Sequence, residues 1–122
     1  MKKLVVVFAF LFTAASFVTA QETEVVNLEQ TKGEFTQKEL KLKEGSYIFN
    51  ISNNNSGTDV GFVLVPEGKD AANPENHIKE AYVTQVVKEG ETQSSNTVNL
   101  EKGTYTYFCP LNKTPQYTLI VE

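Results

Sequence analysis

Gly103-Thr104-Tyr105-Thr106-Tyr107-Phe108-Cys109-Pro110-Leu111-Asn112-Lys113-Thr114-Pro115 runs straight into Tyr117-Thr118-Leu119-Ile120-Val121. Aromatic and β-branched residues recur at every second position up to Cys109, as in a half-buried strand. Pro110 and Pro115 bracket a short loop, and the apolar run that follows reads as a closing strand. A strand that ends on a cysteine, a tight loop and a final strand together point to an all-β domain.

Upstream, the same signals recur. Thr23 to Leu28 and Glu34 to Leu42 read as opening strands. Tyr47, Phe49 and Ile51 share one face of a third. Asn53-Asn54-Asn55-Ser56-Gly57 is a turn cluster, because Asn and Gly tolerate left-handed backbone. Val60 to Val65 is a continuous apolar run ended by Pro66. Further strands are expected over Val83 to Val87, Thr92 to Leu100 and Thr104 to Cys109. Asn73 before Pro74 is a helix-start signal, and Ile78, Ala81 and Tyr82 follow at helical spacing, so one helix of about two turns is expected there. Seven or eight strands with one short helix predict a Greek-key β-sandwich. Leu42-Lys43-Glu44-Gly45-Ser46-Tyr47 and Leu100-Glu101-Lys102-Gly103-Thr104-Tyr105 share the pattern L-x-x-G-x-Y. Each reads as a turn feeding a strand, and Tyr105 is the candidate to bond its hydroxyl back to nearby backbone.

The first 20 residues are of another kind. Met1-Lys2-Lys3, an apolar run from Leu4 to Phe12, and Val18-Thr19-Ala20 form the pattern of a secretory signal peptide cut after Ala20. The apolar run is too short to favour a membrane span. The expectation is an exported domain over residues 21–122, periplasmic or secreted, with no membrane insertion after cleavage. That domain keeps all 15 acidic residues and nine of the 11 lysines, about −6 in charge, and has no Arg. Such a balance excludes phosphate-backbone binding, so no nucleic acid is expected. It suits a soluble domain kept apart by like charge, or an acidic face for a basic protein partner.

The end of the chain resembles a cupredoxin, the blue-copper electron-carrier family. The strand G-x-Y-x-x-x-C and the loop after it match the short-loop form C-x-x-H-x-x-M. The run Leu42 to Asn54 is similar to the strand before the family's first His ligand, and Thr58-Asp59-Val60-Gly61-Phe62 to the stretch that carries it. This resemblance implies a copper-binding Cys109, with Thr58, Asn112 and Pro115 in the places of the two His ligands and the axial Met. A shifted register puts Val60 at the first place instead.

The residue inventory contradicts an ordinary blue-copper centre without any alignment. Two imidazoles and a thiolate are needed, and the chain holds one His, His77, and one Met, Met1. Cys109, the single cysteine, has three readings: a buried packing residue, a soft-metal ligand, or a partner in an intermolecular disulfide. His77 is expected to face solvent on the short helix. Asp59, Thr58 and Asn112 are candidates for a hydrogen-bonded cluster where the metal would lie. Catalytic motifs are missing, so no enzyme is expected. Two functions stand: an exported binding or interaction module with an emptied copper site and no cofactor, or a copper-binding electron-transfer or copper-handling protein using Cys109 in an atypical or shared shell.

Overall fold

The computed structural model describes residues 22–122. The expected signal peptide and its cut site lie outside them. Nine strands follow: β1 (Glu24–Thr31), β2 (Glu34–Phe35), β3 (Glu39–Leu42), β4 (Gly45–Asn53), β5 (Val63–Pro66), β6 (Thr92–Ser94), β7 (Val98–Leu100), β8 (Gly103–Phe108) and β9 (Tyr117–Val121). They form two sheets. One runs β2-β1-β4-β6 with β7 also on β4, and the other runs β3-β9-β8-β5.

Alternation decides which side chains fill the space between them. Along β4, Tyr47, Phe49, Ile51 and Asn53 are buried in turn, and the residues between them are half-buried. β1 runs parallel to β4 and turns Leu28 and Gln30 inward. From the other sheet come Leu64, Tyr107, Leu119 and Val121. Phe35 stands between the sheets with its ring edge-to-face on Phe62, Tyr107 and Tyr117.

Two expected strands are divided. Glu34 to Leu42 passes from one sheet to the other at Thr36-Gln37-Lys38, so β2 pairs with β1 while β3 pairs in parallel with β9. Thr92 to Leu100 breaks at Ser95, whose side chain accepts the Phe49 N–H and donates to the Asn96 carbonyl. Val83 to Val87 forms no strand, only the bridges Val83–Ser95 and Val60–Val87. The two-turn helix is replaced by two single 3-10 turns, Pro74–Asn76 and Lys79–Ala81. Asn73 does cap the first, accepting from the Glu75 N–H at 3.0 Å. However, His77 and Ile78 are extended, and the Ile78 N–H is spent on the Leu64 carbonyl at the edge of β5. A sheet-edge hydrogen bond has won over helix continuation.

Both L-x-x-G-x-Y segments close alike. The Tyr47 hydroxyl donates to the Lys43 carbonyl at 2.6 Å, and Tyr105 to Glu101 at 2.8 Å. Gly45 and Gly103 sit at φ +156° and +152°, where a Cβ is disfavoured. The two turns also meet: Gly45 registers with Leu100, and the Lys102 N–H donates to the Glu44 carboxylate.

Tyr107 gives a pH signature. Its ring is fully buried and its hydroxyl donates to the Gln37 carbonyl at 2.6 Å. Burial, then the neighbouring Tyr117 and Glu39, push its ionisation well above the usual tyrosine value. The unfolded chain therefore loses this proton first, near pH 10. Stability from Tyr107 is complete below that pH and falls as the pH rises further. Urea unfolding between pH 8 and 11 is expected to show this decline in the parent and a shallower one in Tyr107→Phe. Equal slopes would contradict the assignment.

Candidate functional site

β8 delivers Cys109 to the end of the sandwich, on the face shared by Tyr105 and Tyr107, because residues two and four apart in a strand point the same way. Cys109 is fully buried. The loop after it folds back at once: the Thr114 N–H reaches the Cys109 carbonyl, and the Cys109 N–H reaches the Thr114 hydroxyl at 2.9 Å. Lys113 takes φ +54° to make this turn. As a result, the Asn112 N–H points at the Cys109 Sγ, 3.4 Å away. From the β4–β5 connection the Gly61 N–H reaches the same sulfur at 3.3 Å.

Gln30 closes the arrangement from the opposite sheet. It is fully buried; its Nε2 donates to the Gly61 carbonyl at 2.7 Å, and its Oε1 accepts from Asn112 Nδ2 at 3.1 Å. The Asn112 side chain is used up. Its Nδ2 also donates to the Thr31 carbonyl, and its Oδ1 accepts the Gly33 N–H at 2.9 Å. Sulfur, Gly61, Gln30 and Asn112 thus form a ring in which both residues whose N–H groups cover the thiol are tied to one side-chain amide. Asn53, the register partner of Gln30, donates its Nδ2 to the Thr58 and Val87 carbonyls. Its Oδ1 is the one buried side-chain oxygen without a partner among the described residues.

The expected site residues separate. Cys109 and Asn112 come together. Thr58 and Asp59 are exposed, and Thr58 contributes its backbone carbonyl, to Asn53 and Ser56, rather than its hydroxyl. The Gly61 contact puts Val60, not Thr58, beside the sulfur. Pro115 is exposed, with its carbonyl accepting from the Thr114 hydroxyl. His77 is half-buried rather than solvent-facing. Its Nε2 lies 2.8 Å from the Ala71 carbonyl and its Nδ1 2.6 Å from the Tyr82 hydroxyl. A carbonyl only accepts, so Nε2 carries a proton, and in the neutral ring Nδ1 accepts from the tyrosine hydroxyl. Both nitrogens are engaged, and the ring packs edge-on against Phe108.

A blue-copper donor set does not fit here. The places around Cys109 hold an apolar valine, an amide donating through its nitrogen, and a proline. No group of three His, Cys, Asp or Glu is placed to hold a metal among the described residues. Gln30 and Gly61 escape a motif reading. The available signal was the inward register Val26, Leu28, Gln30, which ends on a buried amide where an apolar residue would be expected.

Next to the Cys109 loop lies a shallow apolar groove between Phe62, Tyr82, Val83, Val86, Pro110 and Leu111. Leu111 and Val86 are 53% and 41% exposed, two of the three large apolar residues left so open among the described residues.

Comparison with known proteins gives the family. The profile of the cupredoxin-like domain matches residues 3–121, and the chain belongs to that family. No curated protein matches it in sequence. Among solved structures, auracyanin B superposes with a TM-score of 0.68 at 22% identity, over 87% of this chain and 93% of its own. Auracyanin A, a "blue" copper protein from the green thermophilic photosynthetic bacterium Chloroflexus aurantiacus, gives 0.68 at 20% identity, covering 83% and 100%. An azurin, Az-iso2 from the obligate methylotroph Methylomonas sp. strain J, gives 0.59 at 16% identity, covering 80% and 97%. At these identities the likeness is one of fold.

Proposed function

We propose that this cupredoxin-like domain is an exported binding module in which the polypeptide itself has taken over the copper position. The hydrogen-bonded ring around Cys109 carries this reading. A metal on the sulfur would have to find its further ligands where Val60, Asn112 and Pro115 stand, and would have to break the Gln30–Asn112 amide pair to reach the Asn112 side chain. Buried amides that satisfy one another are expensive to separate, since each broken pair strands a donor or an acceptor. The fold then serves as a rigid frame, and the Leu111–Val86 groove is its contact surface for a protein partner, as an exposed apolar patch suggests. Removal of residues 1–20 would place the domain in the periplasm or outside the cell.

Titrating the purified domain with Cu(II) tests the emptied site. The expected result is no intense absorption toward the red end of the visible spectrum and no rise in melting temperature, since only a ligand that prefers the folded state stabilises it. A blue parent protein would overturn the reading in favour of electron transfer. The groove is tested by photo-crosslinking in the producing cells from position 111 and from exposed Asn99. One discrete adduct from 111 and none from 99 is expected. Equal patterns from both remove the groove as the contact surface.

A further inference from the structure

We propose that Gln30 is a lock on Cys109, holding shut the two loops whose peptide N–H groups cover the sulfur. The side chain crosses from β1 in one sheet to loops borne by the other. Its Nε2 holds the Gly61 carbonyl at 2.7 Å and its Oε1 holds the Asn112 amide at 3.1 Å. Those are the residues whose N–H groups lie 3.3 and 3.4 Å from Sγ. Neither loop can lift from the thiol without breaking a bond to Gln30, and no backbone ladder joins the loops to each other at this point.

The lock also has somewhere to go. Asn53 is the register partner of Gln30 on β4, 2% exposed, with a buried Oδ1 that no donor reaches. Paired strands lie ~5 Å apart. An amide leaving the Gly61 carbonyl therefore has an acceptor on the next strand, so the Gln30 donor itself is not stranded by the opening. Gln30 closed on Gly61 holds that side of the cover shut; turned to Asn53 it frees the Gly61 loop, while Asn112 stays tied to Thr31 and Gly33. The device acts locally, at one end of the sandwich, and does not depend on which partner the domain binds.

Native-state labelling of Cys109 with an aromatic disulfide reagent tests this. The thiolate attacks the reagent's disulfide, forms a mixed disulfide and releases a coloured thiolate that reports the rate. Gln30→Leu removes both bonds, and Gln30→Asn keeps an amide one methylene too short to span both partners. Each is expected to accelerate labelling roughly 10–100-fold, the consequence of losing one or two buried hydrogen bonds from a local opening equilibrium. The acceleration should be flat at low urea, as local opening requires, and Gln85→Leu, on an exposed side chain, should leave the rate unchanged. Parent-like labelling of both Gln30 variants overturns the proposal. So does acceleration that appears only with steep urea dependence, which would make Gln30 an ordinary stability residue. The readout uses no metal, so its failure leaves the emptied-site reading standing.

Discussion

Val60→His with Asn112→His is expected to turn the domain from a protein with no copper colour into one that binds Cu(II) stoichiometrically and absorbs strongly toward the red. The placement follows from the sulfur contacts. Gly61 N lies 3.3 Å from Sγ, so the Cα of residue 60, two bonds further, is within about 6 Å of the sulfur. Asn112 N lies 3.4 Å away, which puts its Cα within about 5 Å. Imidazoles at these positions can complete a trigonal set with the thiolate. Two costs oppose this: an imidazole at the fully buried Val60 overpacks the core by about 1–3 kcal/mol, and Asn112→His breaks the ring through Gln30. The variant should therefore be less stable than the parent without metal. Copper at 100 times its dissociation constant should return about 2.7 kcal/mol of stability by linkage, read as a rise in melting temperature that the parent lacks. Thr58→His with Asn112→His is expected to stay colourless, because residue 58 is exposed and lies three residues before the Gly61 N–H that reaches the sulfur. The opposite pair of colours would show that the loop is assembled around residue 58.

That contrast marks where the sequence stopped being legible. The sandwich could be read from alternation, because a buried face leaves a period-two trace in Tyr47-Phe49-Ile51 and Tyr105-Tyr107-Cys109. The Tyr105 closure could be read from its spacing to Gly103, and Tyr47 repeats it. The shortage of ordinary copper ligands needed only a count of His and Met. Registers across loops were harder. Thr58 and Val60 differ by two positions, and only the depth to which the turn Asn53–Gly57 descends decides which lies beside Cys109. The helix was over-read for a related reason: Asn73-Pro74 is a true start signal, but Leu64 offers an edge carbonyl that no local pattern reveals. Gln30 was hidden because its partners are 31 and 82 residues away in the chain. A buried amide ring has no sequence period.

Phe35→Ala is expected to cost about 3–5 kcal/mol, the range for deleting a fully buried aromatic ring. Of the ~5–15 kcal/mol that holds a small domain folded, that is a large share. Phe35 belongs to a two-residue strand, so little backbone pairing anchors it; its ring does the anchoring. It is fully buried, with edge-to-face contacts to Tyr107 at 5.3 Å, Tyr117 at 5.6 Å and Phe62 at 6.1 Å. Its N–H donates to the Tyr117 hydroxyl at 3.3 Å. Directly after it the chain leaves one sheet for the other, so the ring pins the crossover as well as filling the space between the sheets. Phe35→Leu keeps most of the volume and should cost less than about 1.5 kcal/mol plus the lost ring contacts. Val25→Ala, at a side chain 52% exposed, should stay within about 0.5 kcal/mol. Urea unfolding followed by tyrosine fluorescence and circular dichroism reads all three, with slopes equal to the parent's if the denatured state is unchanged. A cost below about 1.5 kcal/mol for Phe35→Ala would mean that the sheets close over the gap. The crossover would then be held by its hydrogen bonds, from the Thr36 N–H to the Glu29 carbonyl and from the Tyr107 hydroxyl to the Gln37 carbonyl, and by the parallel register Glu39–Thr118 to Leu42–Val121.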